Sequence, residues 1–221
     1  MNITNDLVTA YICDHYKPIN EELETLRNLG ERDRVPIILK ETEMVLNTIL
    51  TLKKPVKILE IGTAIGYSSI YFATICPDAE VYTIEKNETM LQAARHNIKE
   101  AGLEGRIHSL FGDGQEQIEK LMDQGIQGFD FVFIDAAKSH YKRFFDAASK
   151  ACVSDALIVS DNILQKAMTV SDQYDTHDKH RTNIRKMREF VEYICNNPML
   201  NTSLMSIGDG LAISTFRGEH E

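Results

Sequence analysis

The sequence predicts an α/β fold in which a mostly parallel sheet is covered by helices on both faces. Short β-branched runs alternate with longer segments of helical periodicity, and two of the runs, VKILEI and FDFVFI, are apolar almost throughout. Strands buried on both faces show that composition, and helix-length connections favour parallel pairing. Two further apolar runs flank Gly208-Asp209-Gly210 and predict an antiparallel hairpin. Five parallel strands and this hairpin together predict a seven-stranded sheet.

The part of the chain before this alternation contains helical patterns only. One helix is predicted over Ile3–His15, a second begins after Asn20, whose side chain suits an N-cap, and a third has Pro36 in its first turn. We expect these extra helices to form an N-terminal segment, 1–52, that precedes the α/β core, 53–221. Both parts are expected to belong to one domain that spans the whole chain.

Five strands and their connecting helices follow. The strands are predicted at Val56–Ile61, Glu80–Ile84, Arg106–Phe111, Phe129–Ile134 and Ala156–Ser160. The clearest helical patterns between them are Glu88–Ala101 and His140–Ala151. This order of elements places the helices on the two faces of the sheet.

The stretch after the fifth strand departs from the alternation. Gln165–Arg181 is polar and too long for an ordinary connection, so it is a candidate lid or substrate loop. The apolar residues after it recur on one helical face and predict a helix. They are Ile184, Met187, Val191 and Ile194. The two strands of the hairpin are then predicted at Leu200–Ile207 and Leu211–Phe216.

Composition and charge exclude several classes of protein. The 221 residues carry 24 Lys and Arg against 33 Asp and Glu, and the formal net charge of −9 argues against a general polyanion binder or a membrane-surface protein. The N-terminus lacks the pattern of a signal peptide, and no apolar run is long enough to span a bilayer. The four cysteines lie far apart, without the spacing of a zinc site or a disulfide framework. We therefore expect a cytoplasmic protein with reduced thiols and no membrane partner.

A glycine-rich turn follows the first strand and leads directly into a helix. Gly62 and Gly66 lie in EIGTAIGYS, but Ala64 and Tyr67 stand where a dinucleotide fingerprint has glycines. The turn is therefore poorly suited to a pyrophosphate. Glu85 ends the second strand 23 residues beyond Gly62 (85 − 62), where a carboxylate can accept both hydroxyls of a ribose. Together these residues favour an adenosyl ligand without phosphates.

Acidic and amide side chains end the next three strands. Asp113, between two glycines after the third strand, suits either an adenine amino group or a simple turn. Asp135 ends the fourth strand, and Asp161 and Asn162 end the fifth. The carboxyl ends of adjacent parallel strands share one crevice, where three oxygen ligands suit Mg²⁺. The alternative for Asp161 and Asn162 is that they cap the next helix.

Longer stretches carry a more specific resemblance. They are Val35-Pro36-Ile37, KILEIGTAIGYSS, VYTIEKNE, FDFVFIDAAKSHYKRFF, Asp161-Asn162 and GDGLAIS, and they cover the chain from about residue 35 to 216. In these stretches the sequence resembles the cation-dependent O-methyltransferases, a family that includes the catechol and caffeoyl-CoA O-methyltransferases. It is most similar to the bacterial branch that methylates 5-hydroxyuridine in tRNA. The resemblance implies the Rossmann-like sandwich of a class I methyltransferase.

The resemblance also implies roles for individual residues. S-adenosylmethionine would be held by Ile38, Gly62, Ser68, Glu85, Asp113, Gly114 and Asp135. Mg²⁺ would be bound by Asp135, Asp161 and Asn162. Lys138 matches the position of the lysine proposed as general base in the catechol enzymes, and with Asp135 it would form the catalytic pair. The alternative interpretation of Lys138 is a solvated surface lysine.

Two classes of acceptor fit the implied mechanism. A catechol offers two adjacent oxygens to a metal ion, and so does 5-hydroxyuridine, whose 5-hydroxyl neighbours the 4-carbonyl. The overall resemblance, more than charge, favours tRNA, and a dense basic segment could contact the phosphates of an anticodon loop whose base is splayed out. The segment is Lys179, His180, Arg181, Arg185, Lys186 and Arg188, and Lys138, Lys142 and Arg143 extend it across the crevice. The alternative is a solvated helix face that acidic neighbours balance.

These observations leave three hypotheses for the function. The leading one is Mg²⁺- and S-adenosylmethionine-dependent methylation of wobble 5-hydroxyuridine in a tRNA anticodon loop, giving 5-methoxyuridine. The second is O-methylation of a small catechol-like or vicinal-hydroxyl molecule. The third, a non-catalytic module that binds an adenosyl ligand, is disfavoured because the metal-type residues and Lys138 occur together. The resemblance further implies a homodimer, for which the N-terminal helices offer surface.

Overall fold

A computed structural model describes residues 5–175 and 180–217, and it has the predicted α/β architecture. The strands are β1 (Lys57–Ile61), β2 (Glu80–Glu85), β3 (Ile107–Phe111), β4 (Phe129–Ile134), β5 (Cys152–Ser160), β6 (Leu200–Met205) and β7 (Leu211–Phe216). They form one sheet in the order β3-β2-β1-β4-β5-β7-β6. The first five strands are parallel, whereas β7 runs antiparallel to both β5 and β6. The predicted seven-stranded sheet with a terminal hairpin is confirmed.

Helices cover both faces of this sheet. They are α1 (Asp6–Cys13), α2 (Glu21–Arg32), α3 (Lys40–Lys53), α4 (Tyr67–Ile75), α5 (Glu88–Glu100), α6 (Gly114–Asp123), α7 (Tyr141–Lys150) and α8 (Arg181–Asn196), with 3₁₀ turns at Lys138–His140 and Asp172–Tyr174. Residues of α6, α7 and α8 form the core on one face, and residues of α2, α3, α4 and α5 form it on the other. Within the described ranges, no helix combines the length and apolarity needed to cross a membrane.

Most predicted bounds agree with the structure, and β5 is the main exception among the strands. It begins at Cys152, four residues before the predicted Ala156. Its first half is polar, and Ser154 and Asp155 are exposed, so the apolar pattern could not reveal it. The predicted apolar face of α8 is confirmed, although Phe190 is fully buried there and Val191 only partly.

The predicted start of the third helix is wrong. Pro36 does not lie in a first helical turn, because α3 begins at Lys40 and residues 35–39 have no regular secondary structure. Arg34 adopts a left-handed conformation (φ 55°) that turns the chain out of α2, and the residue before a proline favours extended backbone. Residues 35–38 of this segment line the crevice at the carboxyl ends of the parallel strands.

Candidate active site

The carboxyl ends of the parallel strands open into one cavity of about 540 Å³. That volume lies in the range of cofactor and small-molecule sites. Nine of the ten residues that the sequence analysis assigned to the site line this cavity: Ile38, Gly62, Ser68, Glu85, Asp113, Gly114, Asp135, Lys138 and Asn162. The tenth, Asp161, lies next to Asn162 and is 2% exposed. The topology therefore brings the predicted donor and metal residues to one place.

The glycine-rich turn after β1 is held in left-handed backbone. Gly62 (φ 108°), Ala64 (φ 47°) and Gly66 (φ 83°) all have positive φ, and the Gly66 N–H bonds back to the Thr63 carbonyl at 2.8 Å. A Cβ on Gly62 would overlap the carbonyl oxygen of Asp135. The backbones at the ends of β1 and β4 therefore pack directly against each other. Because Gly62 has no side chain, the cavity that these strand ends line stays open to a ligand.

Glu85 joins this turn to the end of β2. Its carboxylate accepts hydrogen bonds from the Ala64 N–H at 3.0 Å and from the Asn87 N–H at 2.8 Å. A carboxylate has about four acceptor positions, so two remain for hydroxyl donors in the cavity. Glu85 therefore stabilises the turn and remains able to bind a ribose.

Asp113 combines two local contacts with its place in the cavity wall. It is the N-cap of α6, accepting from the Gln115 N–H at 3.1 Å, and it forms a two-point ion pair with Arg143. The hydrogen bond from Arg143 lowers the pKa of the Asp113 carboxyl. The turn interpretation is therefore confirmed, and contact with an adenine amino group stays a prediction.

Glu60 lies under the turn and was not singled out by the sequence analysis. It is fully buried in β1, where its carboxylate accepts hydrogen bonds from Ser69 and Thr83, while Oε1 has no partner among the described residues. Burial, more than repulsion by Asp135, raises the pKa of Glu60 to about 7. The sequence did contain a sign of this role, because Glu60 is an acid inside the apolar run VKILEI. A buried carboxyl group needs hydrogen-bond donors from neighbouring elements.

The predicted metal residues follow neighbouring strands in register. Ile134 of β4 pairs with Ser160 of β5, so Asp135 and Asp161 each begin the loop after their strand. The Asp161 N–H still donates to the Ile134 carbonyl at 2.9 Å. The Lys138 ammonium donates to the Asn162 side-chain oxygen and lies 3.4 Å from Asp135 Oδ1. The side chains of Asp135, Lys138 and Asn162 thus form one cluster, and the Asp161 carboxylate accepts from the adjoining Asn162 N–H.

The helix-cap alternative for Asp161 and Asn162 is wrong. In the described part of the chain, residues 163–170 form turns, and the next helical element is the 3₁₀ turn at Asp172–Tyr174. Asn162 itself adopts a left-handed conformation (φ 57°), and its N–H donates to the Asp161 carboxylate at 2.6 Å. Asp161 and Asn162 therefore do not cap a helix.

The electrostatics of this cluster fit a cation. Burial and the neighbouring Asp135 raise the pKa of Asp161, because two adjacent carboxylates resist ionisation in a dry site. Across the described ranges, no set of three or more His, Cys, Asp or Glu residues is placed to hold a metal ion. The predicted set is instead two carboxylates and one amide, and these hard oxygen donors are ligands that Mg²⁺ accepts. The chemistry of the donors therefore fits the predicted ion.

Tyr141 is a second residue that the sequence analysis missed. Its side chain is 1% exposed, and its hydroxyl donates to the Asp161 carbonyl at 2.9 Å. Burial raises the pKa of this phenol well above its usual range, so the hydroxyl keeps its proton. Tyr141 thus fixes the backbone that carries Asp161. Its apolar ring within an amphipathic helix gave no sign of this role.

The hairpin between β6 and β7 holds the loop after Asn162. The Ile163 N–H donates to the Gly210 carbonyl and the Leu164 N–H to the Asp209 carbonyl, both at 3.0 Å. The Asp209 carboxylate also accepts from the Lys166 N–H, within a run of three left-handed residues at 165–167. The candidate substrate loop therefore begins at a fixed point, and its residues 176–179 lie outside the described ranges.

The predicted basic segment is largely neutralised within the protein. Arg185 and Lys186 both pair with Glu189, at 2.6 and 3.1 Å. Arg188 pairs with Asp172 at 2.8 Å, and it also donates to the carbonyls of Met168 and Thr169. Lys142 and Arg143 likewise have acidic partners, and Lys179 lies outside the described residues. The alternative of a helix face balanced by acidic neighbours is confirmed for these pairs.

Comparisons with known proteins agree with this geometry. The sequence profile of a family described as O-methyltransferase matches residues 16–216. A catechol O-methyltransferase of Niastella koreensis is 30% identical over 71% of this chain and 72% of its own length. The O-methyltransferase imqG of Aspergillus flavus is 34% identical, but the match spans 62% of this chain and 56% of the fungal protein.

A solved structure gives a longer match. It comes from Staphylococcus aureus and is provisionally named a caffeoyl-CoA O-methyltransferase. It is 34% identical to this chain, with a TM-score of 0.89, and the match covers 96% of this chain and 100% of that one. The similarity therefore extends over the sheet, the helices and the residues of the cavity.

Proposed function

The chain belongs to the O-methyltransferase family, and from this premise we propose that it methylates one of two adjacent oxygens on a small catechol-like or other vicinal-hydroxyl molecule. S-adenosylmethionine is the proposed methyl donor. One observation carries the proposal: the residues suited to an adenosyl ligand and the cluster of Asp135, Lys138 and Asn162 line the same cavity. The catechol O-methyltransferase among the relatives favours the small acceptor.

The donor would occupy the part of the cavity that the glycine-rich turn lines. Glu85 would accept the ribose hydroxyls, and Asp113 would accept from the adenine amino group. Ser68 lies in the first turn of α4, where unpaired backbone N–H groups favour a carboxylate such as that of the methionine moiety. This arrangement directs the sulfonium methyl group towards the cluster at the ends of β4 and β5.

Replacing Glu85 tests this assignment of the donor. Glu85→Ala is expected to weaken binding of S-adenosylmethionine by about 1.5–3 kcal/mol, because hydrogen bonds to a charged group are lost. Isothermal titration calorimetry on the folded variant measures the change. Since Glu85 also holds the Ala64 and Asn87 N–H groups, circular dichroism must first show that the fold is intact. Unchanged affinity in a folded variant would remove Glu85 from the donor site.

The reaction requires a nucleophilic oxygen aligned behind the methyl group. The acceptor oxygen forms a bond to the methyl carbon while the bond from carbon to sulfur breaks, and the sulfonium leaves as the neutral thioether S-adenosylhomocysteine. The hydroxyl proton must move to a base. Lys138 is the proposed base, because its Nζ lies at the cavity wall beside Asp135 and Asn162; it accepts the proton as the neutral amine and becomes the ammonium.

Asp135, Asp161 and Asn162 are proposed to hold Mg²⁺. When bound, the ion would supply Lewis acidity that lowers the pKa of the acceptor hydroxyl and fixes its direction. The buried part of the cluster keeps this site dry, since Asp161 is 2% and Tyr141 1% exposed. An acceptor with two adjacent oxygens suits such a site, whereas an isolated hydroxyl has only one point of attachment.

A methylation assay with matched acceptors tests the proposed function. Purified protein with S-adenosylmethionine and Mg²⁺ is expected to methylate a catechol and to leave the corresponding monophenol and the 1,3-dihydroxy isomer unmodified. Mass spectrometry of the acceptor and of S-adenosylhomocysteine measures the product. Equal turnover of the catechol and the monophenol would overturn the requirement for adjacent oxygens.

Wobble 5-hydroxyuridine in tRNA is the second candidate acceptor. The observation that favours it is a pair of exposed lysines in loops after strands of the parallel sheet: Lys86 after β2, which lines the cavity, and Lys166 after β5. Neither has an ion-pair partner in the described part of the chain, so both remain available to phosphates, unlike most of the basic segment. Tenfold faster methylation of 5-hydroxyuridine tRNA than of any catechol would favour this candidate.

A homodimer and a cytoplasmic location remain predictions from the sequence. For the dimer we propose α1 as the contact surface, because this helix buries no side chain, and Leu7 and Tyr11 are 81% and 65% exposed. Light scattering after size-exclusion chromatography would show the oligomeric state.

A further inference from the structure

We propose that a buried ion pair between Arg27 and Glu43 positions one wall of the donor pocket, so that the N-terminal helices set the affinity for the methyl donor. The two side chains belong to α2 and α3 and are 3% and 2% exposed. Neither residue lines the cavity. The inference relies on the proposed function for the identity of the donor and adds positioning residues to it.

Glu43 is the centre of a hydrogen-bond network that joins four elements. Its carboxylate accepts from the Arg27 guanidinium, from the Tyr67 hydroxyl at 2.6 Å and from the Tyr16 hydroxyl at 2.7 Å. The Tyr71 hydroxyl donates to the Glu43 backbone carbonyl at 2.8 Å. Residues before α2, in α2, in α3 and in α4 therefore meet at one buried carboxylate.

Arg27 extends the network to the wall of the cavity. Its guanidinium donates to the Ile38 carbonyl at 3.1 Å and to the Tyr67 hydroxyl at 3.2 Å. Ile38 lies in the irregular segment 35–39, which has no partner strand in the sheet. Tyr67 is the first residue of α4 and precedes Ser68. Ile38 and Tyr67 both line the cavity, so one guanidinium fixes two of its sides relative to each other.

Stability alone is a poor explanation for this arrangement. Burying two charges is costly, and well-packed apolar residues often stabilise a fold as well as a buried ion pair does. A guanidinium, however, presents five donors in a rigid plane, and here it reaches acceptors on three separate segments. Burial and Glu43 raise the pKa of the Tyr67 phenol, so it keeps the proton that it donates to Glu43. The network therefore specifies a geometry.

A double variant separates positioning from stability. Arg27→Met with Glu43→Leu removes both charges together, so no unpaired buried charge remains. We expect its Tm to lie closer to that of the wild type than the Tm of Arg27→Met alone, which leaves Glu43 unpaired. The Kd of the double variant for S-adenosylhomocysteine, measured by calorimetry, is nevertheless expected to rise about tenfold. The reason is that the Ile38 carbonyl loses its donor, Arg27, and the Tyr67 hydroxyl loses its acceptor, Glu43.

Two further variants complete the experiment. Glu43→Gln keeps the shape of the side chain and serves as the test if the double variant does not fold. We expect its Kd for S-adenosylhomocysteine to rise as well. Lys53→Met is the matched control, because Lys53 also joins α3 to another element, pairing with Asp155 at 2.8 Å away from the cavity. Its Kd is expected to equal that of the wild type. In kinetics, the network variants should raise KM for S-adenosylmethionine and leave kcat at saturating donor within about twofold.

The outcomes distinguish this inference from the proposed function. A wild-type protein that does not bind S-adenosylhomocysteine would overturn the proposed donor. Wild-type binding together with unchanged affinity in a folded network variant would overturn the positioning role alone. A rise in Kd that is equally large in Lys53→Met would also overturn it, since the effect would then follow general loss of stability.

Discussion

Asp161→Ala is expected to lower the rate of methyl transfer by about 100-fold or more while leaving donor affinity nearly unchanged. Asp161 is assigned to the metal and does not line the cavity, whereas Asp135 is assigned to both metal and donor and is a poorer test. The large effect is expected because the ion would both acidify the acceptor hydroxyl and orient it. Initial rates at saturating substrates and calorimetry with S-adenosylhomocysteine measure the two quantities.

Chelation provides the companion measurement. Excess chelator should abolish wild-type activity, and added Mg²⁺ should restore it. Asp130→Ala is a matched control, because Asp130 lies near the opposite end of β4 and its carboxylate holds the Val56 and Lys57 N–H groups. That variant should keep a near-normal rate once its fold is verified. A folded Asp161→Ala that is as active as this control would refute the metal mechanism proposed above.

Gly62→Ala is expected to abolish donor binding and to destabilise the fold by about 2 kcal/mol or more. Two causes add: the position has a φ of 108°, and a Cβ there would overlap the carbonyl oxygen of Asp135. To relieve the overlap, the end of β1 must move away from the end of β4, and the donor turn must move with it. Urea denaturation and calorimetry with S-adenosylhomocysteine are the measurements.

Gly102→Ala is the control for backbone strain alone. Gly102 also has a positive φ of 66°, but a Cβ there would meet no atom within 4 Å. It should cost about 1 kcal/mol and leave donor binding unchanged. If Gly62→Ala behaved like Gly102→Ala, the close approach of the two strand ends would not be a determinant of the site.

The features that the sequence predicted well are those that local pattern determines. The apolar strands, the hairpin at Gly208–Gly210 and the placement of Asp135 beside Asp161 follow from periodicity, turn residues and the rule that parallel strands end at one edge. These rules work best for β1 and β4, whose sequences are apolar almost throughout. The roles of Ile38, Ser68, Gly114 and Lys138 came from the family resemblance, and together the two sources assigned ten residues, of which nine line one cavity.

The features that could not be predicted from the sequence depend on contacts between segments far apart in the chain. Arg27 looked like one charge in a polar helix, although its acceptors lie on segments that begin at residues 35, 40 and 67. Pro36 suited a helix start locally, yet residues 35–39 form no helix, and residues 35–38 line the cavity instead. The number of basic residues in the segment could be counted from the sequence. Their acidic partners, such as Asp172, come within reach only when the loop folds. Propensity is a weak guide where tertiary contacts decide.

The position of β7 has a consequence for how the enzyme is made. In the sheet β7 lies between β5 and β6, yet it is the last of the seven strands to be synthesised. Until it emerges from the ribosome, the growing chain has an uncovered edge at β5, and the loop after Asn162 lacks the carbonyls of Asp209 and Gly210 that hold it. The catalytic centre therefore cannot be completed before β7 is synthesised, and a chain terminated before β7 leaves a strand edge open to aggregation.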